Sequence, residues 1–169
     1  MTGRMPSMRR LGAGLLAGAI AIALNTAALK LADLIPLATA HGGLLRLISP
    51  WIGPVLDRSG IAAAWLALGG PPAKSSLFQA GFHVAVGLAM ALFYVVVLEP
   101  LLPGPAWRKG AIYAVLVWLL NAAVILPLIN EGFAGSAHLA LAGMAWFAAA
   151  HTLFFVLLAI LVARFSPGP

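Results

Sequence analysis

The chain is 169 residues long, 63% hydrophobic and 8% charged, with a mean hydropathy of +1.04, whereas a soluble domain carries roughly a quarter charged residues. Lipid is its natural solvent, and because backbone polar groups in lipid must be satisfied internally, the expected fold is an all-α integral membrane protein forming a single transmembrane domain over residues 1–169. The formal net charge of +6 is scattered singly or in pairs, which excludes a phosphate-tracking surface and hence nucleic acid as a partner, and the lack of cysteine excludes disulfides, thiolate metal sites and cysteine nucleophiles.

In chain order, Arg4, Arg9 and Arg10 precede an apolar run from Leu11 to Leu29. That run is too long for the core of a cleavable signal peptide and the right length for a span. Span one is expected over about 11–35, stopped by Pro36, with Lys30 and Asp33 near its far end and Gly14 and Gly18 at the small-xxx-small spacing that admits a close neighbour. Residues 37–76 mix Arg46, Asp57, Arg58 and Lys74 with Pro50, Pro54 and the Gly69-Gly70-Pro71-Pro72 break. No uncharged stretch there is long enough to span, so the apolar pieces Leu44–Ile48 and Ile61–Leu68, flanked by Trp51 and Trp65, read as an interfacial or re-entrant extracytoplasmic segment.

Span two is expected over about 77–98, ending at Glu99-Pro100, and span three over 110–129, after a proline-rich turn closed by Trp107, Arg108 and Lys109. Pro127 is tolerable near the end of span three. Span four is expected over about 138–163, closed by Arg164. Four transmembrane helices in a bundle follow. Arg4, Arg9, Arg10, Arg108, Lys109 and Arg164 hug one side of it, and the positive-inside rule makes that side cytoplasmic, with both termini in.

Spans one and three share Gly-Ala-Ile (Gly18 and Gly110), Leu-Asn (Asn25 and Asn121) and a later Pro-Leu (Pro36 and Pro127), while His83 and His151 precede Pro100 and Pro167 by similar intervals. A duplicated helical hairpin would produce this pattern, and so would chance in apolar sequence.

At about 1.5 Å per helical residue, Asn25, His83, Asn121 and His151 lie about 22, 24, 18 and 20 Å from the basic or acidic residue marking the cytoplasmic end of each span. One polar side chain per helix thus falls in one layer towards the outer leaflet. Such residues either bridge helices or form a site, since intramembrane ionisable groups are functional candidates. Two histidines level on two helices are how a bundle holds a haem or metal ion, so His83 and His151 are the metal-ligand candidates. Asp33, His41, Glu131 and His138 form a rim set whose oxygen and imidazole donors suit a hard or borderline metal, without a recognised ligand spacing. No catalytic motif is present, which points away from an enzyme. Glu99 beside Pro100 reads as a solvated helix-end carboxylate.

Phe82-His83, Tyr94, Glu99-Pro100, Trp107 ahead of Gly110, Pro127 and His151 together resemble the YagU-type bacterial inner-membrane proteins over about residues 82–163. The resemblance implies a shared fold in the bacterial inner membrane and supplies no ligand; residues 37–77 carry no motif of that family. Three functional readings stand: an accessory, assembly or ligand-binding membrane subunit contacting lipid and packing as a homo-oligomer or within a larger complex; a b-type cytochrome or metal protein using His83 and His151; and a small transporter or channel. The last requires spans one and three to be broken near Asn25 and Asn121.

Overall fold

The computed structural model describes residues 8–35, 37–39 and 43–166. Arg4, Pro36, His41 and Pro167, singled out above, lie outside them. Among the described residues there is no β-strand, and the helices are α1 (Met8–Leu34), α2 (Gly43–Arg58), α3 (Ile61–Ala67), α4 (Ser76–Leu101), α5 (Ala106–Leu128) and α6 (Leu141–Phe165). Four of them, α1, α4, α5 and α6, are long and apolar enough to cross a membrane. At 1.5 Å per residue, even the 23 residues of α5 reach about 34 Å, more than a hydrocarbon core of about 30 Å. The chain reads as a multi-pass membrane protein.

The helix ends follow local chemistry. Ser75 caps α4, its Oγ accepting the Phe78 N–H at 3.2 Å, as expected of a short hydroxyl side chain in extended backbone. Pro105 precedes the first turn of α5. His138, expected within span four, instead belongs to the loop before α6, because Gly132, Ala134 and Gly135 adopt positive φ and hold the chain in tight turns up to Ala140.

Neither α4 nor α5 is a regular α-helix throughout. Tyr94–Leu98 and Asn121–Ile125 are π turns, closed by Glu99 N–H to the Tyr94 carbonyl and Leu126 N–H to the Asn121 carbonyl, five residues back. Both have the same cause. Pro100 and Pro127 follow two residues later; each lacks an N–H and its ring would strike the carbonyl four residues before it, and the wider turn moves that carbonyl aside. α1 and α6 run without such a turn. The irregular helices are therefore the second and third spans, not the pairing of one with three or two with four that a duplicated hairpin implies.

Residues 37–76 hold a longer element than expected. α2 continues through Pro50 and Pro54 instead of stopping at Ile48. Both prolines are exposed and lie on a polar stripe with Arg46, Gly53 and Asp57, at i, i+4, i+7, i+8 and i+11.

Small residues set the packing. α1 lies against α4 and α6, and α5 lies against α6. A Cβ on Gly18 would sit 2.5 Å from that of Ala91 in α4, and one on Gly110 would sit 2.6 Å from the Phe155 carbonyl oxygen in α6; only glycine allows these backbones so close. Tyr94, Val95, Tyr113, Val117, Phe154, Phe155 and Leu158 fill the space between the four helices at the end where α1 begins and α6 ends, here the near end. Tyr113 is its centre: its ring lies 4.4 Å from Phe155 and 6.1 Å from Tyr94, centroid to centroid, and its hydroxyl donates to the Met90 carbonyl at 3.3 Å.

Candidate functional site

Three polar groupings interrupt this apolar structure. The first lies deep in the long helices. Asn25 of α1 is 1% exposed; its Nδ2 donates to the Ala150 carbonyl of α6 at 2.8 Å, and its Oδ1 lies 3.1 Å from His83 Nε2 of α4. The first bond determines the second. With the amide nitrogen spent on a carbonyl, Oδ1 can only accept, so His83 carries its hydrogen on Nε2 and its lone pair on Nδ1.

His151, next in sequence to Ala150, is anchored the other way round. Its Nδ1 donates to the Phe147 carbonyl at 2.8 Å, which leaves the lone pair on Nε2. The Phe147 ring packs against it at a tilt, 4.1 Å between centroids and 49° between planes. Asn25 thus brings α4 and α6 to one level, with two imidazoles anchored through opposite ring nitrogens. Trp146 strengthens the same junction, its Nε1 donating to the Ala28 carbonyl of α1 at 2.9 Å.

Asn121 behaves differently. Its Nδ2 turns back to the Val117 carbonyl of its own helix at 3.2 Å, at the start of the π turn in α5. An asparagine level with the others is thus occupied locally, by the bond to the carbonyl one turn back that Thr26 and Thr152 also make.

The second grouping is at the far end. Glu131, in the loop after α5, accepts from Arg46 NH1 of α2 and lies 2.8 Å from His138 Nδ1. Its backbone is held on both sides, its N–H on the Leu126 carbonyl at 2.9 Å and its carbonyl taking the Ala137 N–H at 2.9 Å. The Arg46 hydrogen bond holds its carboxyl below the usual carboxylate range, with His138 assisting and burial opposing. Of the rim candidates, Glu131 and His138 are together. Asp33 instead accepts from Lys30 Nζ at 3.2 Å. Arg46 is the member that sequence reasoning missed, because the bond joins residues 85 apart.

The third grouping was not anticipated as a cluster. Glu99, at the near end of α4, is only 23% exposed in its side chain, and so is not the solvated carboxylate its sequence context suggests. It pairs with Arg10 of α1 and with Lys109 of α5, whose Nζ donates to the Glu99 carbonyl at 2.8 Å and reaches Oε1 at 3.4 Å. The signal was available: Arg10, Glu99 and Lys109 each mark the same end of a different span.

Among the described residues no three His, Asp or Glu side chains gather in a way that could hold a metal ion, so any metal at the central layer takes at most two imidazoles from this chain. α1 runs unbroken through Asn25, and α5 widens at Asn121 without breaking.

No protein family, no curated protein and no solved structure matches this chain.

Proposed function

We propose that the chain is a bacterial inner-membrane protein of four helices in a bundle, with both termini cytoplasmic and α2–α3 at the outer interface, and that it serves as a ligand-binding or accessory membrane subunit without catalysis of its own. The positive-inside rule and the resemblance to YagU-type proteins support location and orientation. The observation that carries the functional reading is the pair of anchored imidazoles. His83 gives its Nε2–H to Asn25 and His151 gives its Nδ1–H to Phe147, so each ring is oriented by one nitrogen and keeps a lone pair on the other, as an imidazole ligand oriented by a hydrogen bond does. The ligand is an electron-pair acceptor, a metal centre or a hydrogen-bond-donating small molecule, held by His83 Nδ1 and His151 Nε2.

A b-type cytochrome is the second reading, favoured by His151, whose anchored Nδ1 leaves Nε2 for an axial position. Ligation through His83 Nε2 requires that ring to release Asn25, on which Nε2 is spent. One measurement separates the readings. The protein isolated from membranes is examined by absorption spectroscopy and elemental analysis, beside His83→Ala and His151→Ala. A Soret band lost in both variants supports the cytochrome; a metal or small molecule retained by the wild type and lost in both supports the first reading. Neither chromophore, metal nor small molecule in the wild type overturns both.

A further inference from the structure

Outside the long helices, α2 buries none of its residues, although Leu44, Ile48, Trp51, Ile52 and Val55 share one face at helical spacing. Its first turn touches the far end of α5: a Cβ on Gly43 would lie 3.7 Å from both Ile125 and Leu126. From there α2 and α5 enclose a groove of about 300 Å³ lined by Arg46, Leu47, Pro50, Trp51, Leu128 and Ile129. It has a charged end and an apolar end. Arg46, with its side chain 53% exposed, spends NH1 on Glu131 and keeps further guanidinium donors. Leu128 and Ile129 form the other wall, and below them Leu120, Val124 and Leu128 are 50, 43 and 64% exposed along α5. Trp51 stands at the edge, 78% exposed, a side chain that favours the headgroup level of a bilayer.

We propose that this groove holds a phospholipid of the outer leaflet, its phosphate on Arg46 and an acyl chain running down the exposed face of α5. The inference rests on the membrane reading above, with α2 at the outer interface. Guanidinium is the side chain best suited to a phosphate at an interface, being weakly hydrated and a multiple donor. Glu131 fixes the arginine in place through NH1, which leaves the other guanidinium nitrogens to donate to a phosphate. The groove's volume fits a phosphate and glycerol, and the open apolar track beyond it fits what a headgroup leaves over.

The test uses the full-length protein in a nonionic detergent, titrated with dioleoylphosphatidylglycerol, dioleoylglycerol or inorganic phosphate while thermal unfolding is followed. Wild type should gain a saturable rise in Tm with the phospholipid alone. In Arg46→Gln the midpoint of that titration should move about tenfold or more, the worth of one charge-assisted hydrogen bond. Leu128→Trp, which fills the groove, should abolish the rise, and Arg58→Gln should leave it unchanged. Since the readout is the titration midpoint, a lower starting Tm in a variant does not obscure the answer. An equal response in all variants overturns the proposal, and so does a response to phosphate alone or to diacylglycerol. Self-association that removes the lipid response would assign the groove to a second copy and likewise overturn it. The premise is read separately by labelling Val55→Cys from outside sealed vesicles, a clean experiment in a chain without cysteine; failure there refutes the topology, whereas a null lipid titration with successful labelling refutes only the site.

Discussion

Replacing Asn25 with alanine removes two hydrogen bonds at once, to the Ala150 carbonyl and from His83 Nε2. Interhelical hydrogen bonds in membranes average about 0.6 kcal/mol, which gives about 1.2 kcal/mol for the pair. The two losses are unequal in kind. The Ala150 carbonyl keeps its place in the α6 ladder, whereas the His83 N–H loses its acceptor beside a residue only 1% exposed, and an unmade bond to a desolvated donor costs about 1–3 kcal/mol. The expected loss for Asn25→Ala is therefore about 2 kcal/mol, and the coupling in a double-mutant cycle with His83→Ala about 0.6 kcal/mol with a ceiling near 1.7. Reversible unfolding in mixed micelles measures both. Nitrogen NMR of ring-labelled protein adds an independent reading, with the hydrogen on Nε2 in His83 and on Nδ1 in His151. Zero coupling between two individually costly variants, or the same tautomer at both histidines, would refute the account of Asn25 as the residue that orients His83.

At the far end, Glu131 titrates below its unfolded value, so its contribution to stability is present above about pH 4.3 and is lost as pH falls through the folded value; the Tm difference between wild type and Glu131→Gln should shrink as pH falls below about 4.3. At the near end, Glu99→Gln leaves Arg10 and Lys109 facing each other across a part-buried gap and should cost about 1–2 kcal/mol in the same unfolding assay, between the values for exposed and fully buried pairs. Gly110→Leu should cost about 3 kcal/mol or prevent folding, since its side chain meets the backbone of Phe155 and Val156, while Gly12→Leu, with nothing within 4 Å, should leave Tm unchanged.

Hydropathy made the long helices legible, because a run of apolar residues without charges has few other uses at this length. Counting 1.5 Å per residue from the charged ends places Asn25 and His83 level, and their side chains are in hydrogen-bond contact. The same count places Asn121 in the layer, yet its amide turns to its own helix, since depth along an axis carries no information about rotation around it. Rotation is what the two π turns alter, and nothing in Tyr94–Leu98 or Asn121–Ile125 announces them except the proline two residues on. The Glu99 cluster was legible as three charges at one end of three spans, but not as a contact. A carboxylate beside proline at a helix end is ordinary, and it becomes a shared counterion only when α1 and α5 are seen to start beside it. Residues 43–58 hid a helix behind two prolines, a residue type that ordinarily marks where a helix stops.

The π turn in α4 also keeps a count. It holds one residue more than an α-helix of the same rise, and one residue is about 100° of rotation. Everything beyond it is indexed by that extra residue, so the azimuth of Glu99, and with it the meeting of Arg10, Glu99 and Lys109, depends on an insertion upstream of the carboxylate rather than on the carboxylate itself. Deleting any one of Val95, Val96 or Val97 would remove that extra residue and let the turn close as ordinary α-helix, leaving Glu99 at its azimuth but setting the Pro100 ring against the carbonyl four residues before it. At the length this chain has, it is therefore the π turn, favoured by Pro100 from outside it, that keeps Glu99 on its two cations.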